Sequence, residues 1–358
     1  MLFNIEGDVG VIVKGYVIPD AYDAHSNVVV RSGGHDVFVG KANIPMEYKV
    51  APGRHLDHSC RFYIDVSHCK DLDKLTDLEL RDEETNLLLY RRRSPRHLAR
   101  KVFRLESHLL PLWRLDQALD YRFQYSGSRI ENLGRETLLQ MLTLWHVDSV
   151  YLSGRVLYRS IQFYLDNGFQ IAFVMHHPYE ELAERILVLK QMSATGAELL
   201  APRDSGALKP VIAFAAALPL NNERALVRAL RAMPKEVARA LANPATLQLT
   251  SVNPDDPPGP RALTTALDAL STFEIVGLRR APKTFLTALA ELAEVPFATL
   301  PALGRLPGVT ALAKRLRSTS AVDGLLELDL QLYSHIAEAY RRAAVVPIAA
   351  DAKPPRAV

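Results

Sequence analysis

The stretch that decides the fold runs from residue 148 to residue 192 and reads DSVYLSGRVLYRSIQFYLDNGFQIAFVMHHPYEELAERILVLKQM. A β-rich run breaks at Ser153-Gly154-Arg155, and apolar residues then recur at helical spacing as far as Asn167-Gly168. A second apolar run, Phe169–Met175, ends at His176-His177-Pro178 and precedes a charged helix. This pattern predicts two strand–turn–helix units, which is typical of an α/β domain with a parallel sheet.

The first turn carries residue types that suit an anion site. Ligands of parallel α/β units bind at the carboxyl ends of strands, where backbone N–H groups and the next helix attract anions. Ser153 supplies a hydroxyl, Gly154 allows close backbone approach, and Arg155 can fork onto a phosphate. We expect these three residues to contact a phosphorylated or sulfated ligand. The alternative is an ordinary turn in which Ser153 caps the helix.

The second turn carries two adjacent histidines. His176 and His177 can serve as a general base or as phosphate ligands. The alternative is a plain helix start with Pro178 in the first turn. Glu180, Glu181, Glu184 and Arg185 would then form a solvated helix face with an ion pair between Glu181 and Arg185. A right-handed crossover should make the two strands parallel neighbours, so we expect the histidines to line one cleft with Ser153 and Arg155.

Residues 1–92 predict a domain of a different class. Short runs rich in Val, Ile, Phe and Tyr alternate with turn residues, which favours an antiparallel β-sandwich. The candidate strands are 9–18, 27–31, 36–42, 61–66, 75–81 and 87–92. Such a module either binds carbohydrate or acts as a scaffold. His55, Asp57, His58 and His68 match no compact ligand motif, so we interpret them as surface residues and expect no metal.

Residues 93–345 predict the α/β domain, and the tail 346–358 should be disordered. Helices are expected at 105–119, 135–146, 213–241 (interrupted by Pro219 and Pro234), 261–271, 283–294, 307–317 and 322–344, with loops at 193–210 and 253–260. The basic run Arg91-Arg92-Arg93 falls at the boundary between the two domains. It is either a solvated linker or a site of attraction to an anionic polymer or membrane surface.

Composition narrows the class of protein. The chain is 48% hydrophobic and 23% charged, as in soluble globular proteins. Its net charge of +3 is too small to indicate a nucleic-acid partner. Two cysteines, no apolar leader and no apolar run of membrane-spanning length predict a cytoplasmic protein, with peripheral membrane contact as the alternative. The motifs of P-loop NTPases, dinucleotide-binding domains, zinc proteases and α/β-hydrolases are all missing.

Three segments, in order, resemble the sulfotransferase superfamily, whose members use the sulfate donor PAPS. FQIAFVMHHPYEELAER resembles the family's strand, Arg-Asp-Pro and helix. LTTALDALSTFEIVGLRRAPKTFLTALAELAEVPF and LLELDLQLYSHIAEAY resemble its later segments, and the matching residues are Leu270, Phe273, Val276, Gly277, Leu278, Asp329, Leu332 and Tyr333. The resemblance covers about half of the chain, from residue 148 on. It implies a P-loop-like parallel sheet of the sulfotransferase type.

The chain also departs from this family. His176 stands where the family has the Arg that holds the donor's 3′-phosphate, and Glu184 stands where it has a Ser. The Lys-bearing phosphosulfate loop is missing, with Arg155 as a stand-in, and Thr246-Leu247-Gln248 lacks the family's following Arg.

The resemblance implies transfer of a sulfuryl group from PAPS to a hydroxyl of a bacterial surface polysaccharide or glycolipid. Ser153, Gly154, Arg155 and Arg185 would bind the donor, and His176 and His177 would be catalytic. Two alternatives remain open. One is a glycosyltransferase-like or other nucleotide-using polysaccharide enzyme. The other is a non-catalytic carbohydrate-binding protein on a degenerate scaffold.

Overall fold

The structure, a computed structural model, describes residues 1–46, 59–144, 147–196 and 200–345. The N-terminal part contains two four-stranded antiparallel sheets, with strand orders β1-β2-β6-β5 and β4-β3-β7-β8. The strands are β1 Leu2–Asp8, β2 Ile12–Ile18, β3 Asn27–Ser32, β4 His35–Lys41, β5 Ile44–Pro45, β6 Ser59–Asp65, β7 Glu79–Asp82 and β8 Leu88–Arg91. The prediction of an antiparallel β-rich N-terminal region is confirmed. Strand β1 was missed, and the run predicted at 75–81 becomes a strand only from Glu79.

The C-terminal part contains five parallel strands in the order β10-β11-β9-β12-β13. These strands are β9 Lys101–Leu105, β10 Tyr125–Gly127, β11 Val150–Gly154, β12 Phe169–Met175 and β13 Ile275–Leu278. The predicted parallel sheet with helices is confirmed.

The helices in chain order are α1 Trp113–Asp120, α2 Arg135–Leu142, α3 Tyr158–Leu165, α4 Pro178–Thr195, α5 Pro202–Ala207, α6 Lys209–Ala217, α7 Glu223–Arg231, α8 Lys235–Leu241, α9 Pro244–Thr250, α10 Ala262–Ser271, α11 Pro282–Leu292, α12 Val309–Arg317 and α13 Glu327–Val345. The helical region at 213–241 is interrupted near Pro219 and Pro234 as expected, because proline cannot donate a backbone hydrogen bond. The helix predicted at 105–119 begins only at Trp113, and α5 lies inside the predicted loop at 193–210.

Strand β9 lies between the two strands of the 148–192 unit. Ser153 of β11 and Ala172 of β12 both pair with Arg104 of β9. The expectation that β11 and β12 are direct neighbours is therefore wrong, although they are parallel. The error arose because no strand was predicted at 101–105, directly before and into the expected helix at 105–119, so a central strand was missed.

Residues of both parts share one apolar core. Phe3 and Phe62 of the antiparallel sheets belong to the same cluster of buried side chains as Phe103 and Leu152 of the parallel sheet. At the boundary, Arg91 is 3% exposed and its Nη2 lies 2.6 Å from carboxylates of both Glu79 and Asp120. The interpretation of this run as a solvated linker is therefore wrong for Arg91, which joins the two parts.

Among the described residues, no helix combines the length and the apolar character that crossing a lipid bilayer requires. Cys60 and Cys69 are both buried thiols.

Candidate functional site

The carboxyl edge of the parallel sheet collects buried polar side chains from four strands. Glu106 follows β9, Arg155 follows β11, His176 follows β12 and Arg279 follows β13. Glu106, His176 and Arg279 are each 5% exposed or less. Parallel sheets bind ligands at this edge, and Arg155 and His176 follow the strands that the sequence predicted for them.

Ser153 belongs to a hydrogen-bonded network beneath this edge rather than to an anion site. Its Oγ donates to Asp116 Oδ1 at 2.7 Å, and Tyr151 donates to the same oxygen at 2.8 Å. The guanidinium of Arg104, which is fully buried, donates to that oxygen at 2.6 Å and also pairs with Glu106. Three donors thus converge on one carboxylate oxygen of Asp116, and the hydroxyl of Ser153 is already engaged in a hydrogen bond within the protein.

Gly154 is required by packing rather than by a ligand. A Cβ at this position would lie 2.9 Å from the backbone nitrogen of Ile130 and 2.7 Å from its Cγ1. Ile130 begins a short 3-10 turn, Ile130–Asn132, that covers the end of β11. A glycine is therefore needed here because the turn packs directly against the backbone of residue 154. The contacts of Gly154 give no support to its expected role in approaching a phosphate.

Arg155 lines a cavity of about 330 Å³ over the carboxyl end of β11. Its Nη2 lies 2.6 Å from Asp204 Oδ2, while its buried Nε has no hydrogen-bond partner among the described residues. Arg185 and Arg239 line the same cavity. Two of the predicted donor-binding residues, Arg155 and Arg185, are thus brought together although 30 positions of sequence separate them.

Arg185 is more constrained than Arg155. Its Nε donates to Glu181 Oε1 at 2.9 Å, and its Nη2 donates to the carbonyl oxygen of Ser107. The expected pair of Glu181 and Arg185 therefore exists, but both side chains are less than 8% exposed. The prediction that they form a solvated face is wrong, because α4 is covered by α6 and α12.

His176 lies in a closed polar cluster at the start of α4. Its Nδ1 is 3.5 Å from Glu181 Oε2, and its ring centroid is 4.8 Å from that of His108. Burial, together with the guanidinium of Arg279, lowers the pKa of His176 to about 3. The ring is therefore neutral at pH 7.

His177 points away from that cluster and is half-buried. Its ring lies 4.7 Å from that of Tyr333, and its Nε2 lies 3.5 Å from a guanidinium nitrogen of Arg317. Burial and the charge of Arg317 lower its pKa to about 4. The two rings thus lie in different surroundings, and β9 separates the strand of Ser153 from the strand that ends before the histidines.

The sequence did not predict a place in the site for several residues of this edge. His108 and Glu106 lie in the segment interpreted as a helix, and Glu184 was interpreted as solvated. Burial raises the pKa of Glu106 to about 7 and that of Glu184 to about 8. The spacing His176, Glu181, Glu184 along one strand end and helix start was the signal that could have indicated a shared cluster.

A larger cavity, of about 700 Å³, lies between the β7–β8 hairpin and helix α1. Its lining combines polar and apolar side chains in similar measure, among them Arg81, Asn86, Leu88, Trp113, Asp116, Gln117, Ser126, Ser128, Asn132 and Met141. Trp113 is 50% exposed. The second carboxylate oxygen of Asp116, Oδ2, is buried and has no hydrogen-bond partner in the described part of the chain.

Other candidates from the sequence lie apart from these sites. His68 Nδ1 is 2.8 Å from Asp65 Oδ1 on the surface of the antiparallel part. His55, Asp57 and His58, like the tail 346–358, fall outside the described residues.

Comparisons with known proteins indicate no family for this chain. The chain matches no protein-family model, and a search of curated proteins finds no match.

Proposed function

We propose that this chain is a sulfotransferase-like transferase that binds PAPS and transfers its sulfuryl group to a hydroxyl of a surface polysaccharide or glycolipid. One observation carries the proposal. Arg155, Arg185 and Arg239 line one cavity at the carboxyl end of a parallel strand, together with Asp204, Glu236 and Asp255. Guanidinium groups in a partly enclosed cavity are well suited to phosphate and sulfate esters, which they contact through paired hydrogen bonds.

Arg155 is the residue of this cavity best placed to hold the donor. Its buried Nε has no partner among the described residues, so it offers a donor to an incoming phosphate oxygen. Arg185 already donates to Glu181 and to the carbonyl of Ser107, so its main contribution is positive charge. Asp204 occupies one side of Arg155 and must share that guanidinium with the bound anion.

The larger cavity suits the proposed acceptor. An exposed indole beside amide and hydroxyl side chains offers both an apolar face and hydrogen-bonding groups, which a sugar ring needs. The unpartnered Oδ2 of Asp116 can accept a hydrogen bond from an acceptor hydroxyl. The β7–β8 hairpin forms one wall, which gives the N-terminal part a role in acceptor binding.

The two histidines are less suited to proton abstraction than to neutral contacts. A general base works best when its pKa lies near the working pH. The pKa values of about 3 for His176 and about 4 for His177 make both rings weak bases. In this proposal they contribute neutral hydrogen-bonding nitrogens.

A thermal-shift panel tests the donor class. The full chain is heated with adenosine 3′,5′-bisphosphate, UDP, GDP or coenzyme A, and at about 100 times Kd a true ligand adds about 2.7 kcal/mol of stability. We expect stabilisation by the adenosine bisphosphate and its loss in Arg155→Ala. Arg159→Ala is the matched control, since Arg159 is exposed on α3. Stabilisation by UDP or GDP alone would favour the nucleotide-sugar alternative, and no stabilisation by any ligand would contradict a transferase.

A further inference from the structure

We propose that His176, Glu181 and Glu184 bind one divalent transition-metal ion, with zinc as the ion best suited to them. The three residues offer one imidazole nitrogen and two carboxylate oxygens within 4.8 Å of one another. All three side chains are buried, with residue exposures of 5% or less. This cluster borders the Arg155 cavity through Arg185, which lines that cavity and donates to Glu181. Zinc binding is measured without any donor, so its failure and the failure of the proposed function are distinguishable.

The distances within the cluster approach those of a metal site. Zinc–nitrogen and zinc–oxygen bonds of about 2.0–2.2 Å place neighbouring tetrahedral ligands about 3.4 Å apart. His176 Nδ1 and Glu181 Oε2 are 3.5 Å apart. The backbone supports this arrangement, because His176 ends β12 while Glu181 and Glu184 are three positions apart on α4 and share one helix face.

The cluster also lacks the hydrogen bonds that buried polar groups require. Among the described residues, Glu181 Oε2, Glu184 Oε1 and His176 Nε2 have no hydrogen-bond partner. Leaving such groups unsatisfied costs about 1–3 kcal/mol each, and more for charged groups. A bound cation would satisfy both carboxylates at once.

His108 provides the second, independent indication of a ligand. Its ring is 1% exposed, lies 4.8 Å from that of His176, and has no hydrogen-bond partner at either nitrogen in the described chain. A buried imidazole that serves only packing would still need a partner for its N–H. From beside His176 it can hold a metal-bound water.

Arg185 orients the Glu181 carboxylate and leaves one of its oxygens for the ion. Arg185 donates to Glu181 Oε1 and leaves Oε2 facing His176. Such outer hydrogen bonds typically orient metal ligands. Arg279 donates to the carbonyl of Gly304 through one nitrogen, while its buried Nη1 has no partner among the described residues.

The chemistry of the ligands selects the type of ion. Magnesium and calcium prefer all-oxygen sites, whereas an imidazole with carboxylates suits zinc and related transition metals. Because the three ligands are so enclosed, we infer a structural role. The ion would tie the start of α4 to the end of β12.

The test uses the full chain after treatment with a chelator and dialysis. Zinc chloride is added, excess is removed, bound metal is counted by elemental analysis, and the thermal midpoint is compared with and without zinc. We expect one zinc per chain and a raised midpoint, with no comparable effect of magnesium. A chain that retains no zinc and keeps its midpoint would overturn the proposal.

Variants locate the ion. Glu184→Gln and His176→Ala should bind zinc at least tenfold more weakly and lose the thermal shift. Glu180→Gln, in the same turn but directed to Arg305, should behave like the parent. Circular dichroism of the metal-free variants checks that they are folded. If Glu184→Gln is folded and binds zinc as well as the parent does, the site is wrong. If Glu184→Gln fails to fold, the zinc content of the parent and of His176→Ala decides.

Discussion

Arg155 Nη2 lies 2.6 Å from Asp204 Oδ2, so the principal cation of the proposed donor cavity is already paired with a carboxylate. The pair is largely buried, with side-chain exposures of 10% and 13%. A bound phosphate or sulfate therefore competes with Asp204 for the same guanidinium. The negative charge of Asp204 therefore weakens the attraction of the cavity for anions.

Replacing Asp204 by Asn should strengthen anion binding. The amide keeps a hydrogen-bond acceptor near Arg155 but removes the negative charge that repels a phosphate. We expect several-fold tighter binding of adenosine 3′,5′-bisphosphate, measured by calorimetry. Glu236→Gln, at another wall of the cavity, is a comparison variant and should have a smaller effect. Weaker binding in Asp204→Asn would indicate that this carboxylate supports the ligand.

Asp116 should be essential for stability. Removing it by Asp116→Ala leaves Arg104 buried with Glu106 as its remaining carboxylate partner and deprives Tyr151 and Ser153 of their acceptor. Loss of one partner of a buried ion pair lowers the free energy of unfolding by about 3–5 kcal/mol. Urea unfolding of the variant and the parent measures this difference.

The control for this substitution is Asp148→Ala. Asp148 forms an exposed ion pair with Arg93, and such pairs contribute at most about 1 kcal/mol. Equal losses of stability in the two variants would contradict the central role of the Asp116 network.

Gly154→Ala should destabilise the protein by about 1–3 kcal/mol, the usual cost of overpacking. The new Cβ would approach the backbone nitrogen of Ile130 to 2.9 Å and force the covering turn outward. Gly206→Ala is the control, since no atom lies within 4 Å of a Cβ there. Thermal unfolding of both variants measures the difference. An unchanged Gly154→Ala protein would show that the turn moves freely.

Stability should fall as the pH is lowered from 7 to 4.5, partly because of His97. Burial and the charge of Arg91 lower its pKa to about 4, and its Nδ1 accepts a hydrogen bond from the Ser94 N–H at 3.0 Å. The unfolded chain binds a proton near pH 6.5 while the folded state stays neutral, so the free energy of unfolding decreases below pH 6.5.

His97→Asn keeps an acceptor but does not titrate in this range. It should therefore lose about 1–2 kcal/mol less stability than the parent between pH 7 and pH 4.5. Urea unfolding at both pH values measures this. If the parent and the variant lose the same unfolding free energy between these pH values, the pKa of His97 is not lowered by folding.

The sequence allowed the unit β11–α3–β12–α4 to be predicted because each element is long, periodic and bounded by clear turn residues. It did not reveal β9, whose five residues lie between the basic boundary run and the helix expected at 105–119 and are too few to show a strand pattern of their own. Since β9 separates β11 from β12, this one omission also misplaced Ser153 relative to His176.

The candidate site was predictable in location but not in composition. Arg155 and Arg185 were identified by their chemistry, and the structure brings them to one cavity. Glu181 and Glu184 were missed because charged residues on a helix are usually solvated. Here α4 is covered by α6 and α12, and the burial of its acids depends on tertiary packing that local sequence does not encode.

The central claim is that Arg155 binds an anionic donor, and calorimetric titration of the full chain with adenosine 3′,5′-bisphosphate tests it most directly. The parent and Arg159→Ala should bind equally well. Arg155→Ala should remain folded and lose about 1.5–3 kcal/mol of binding free energy, the contribution of one charge-assisted contact. If Arg155→Ala binds as tightly as the parent, or if the parent binds no adenosine bisphosphate, the proposed donor site is wrong.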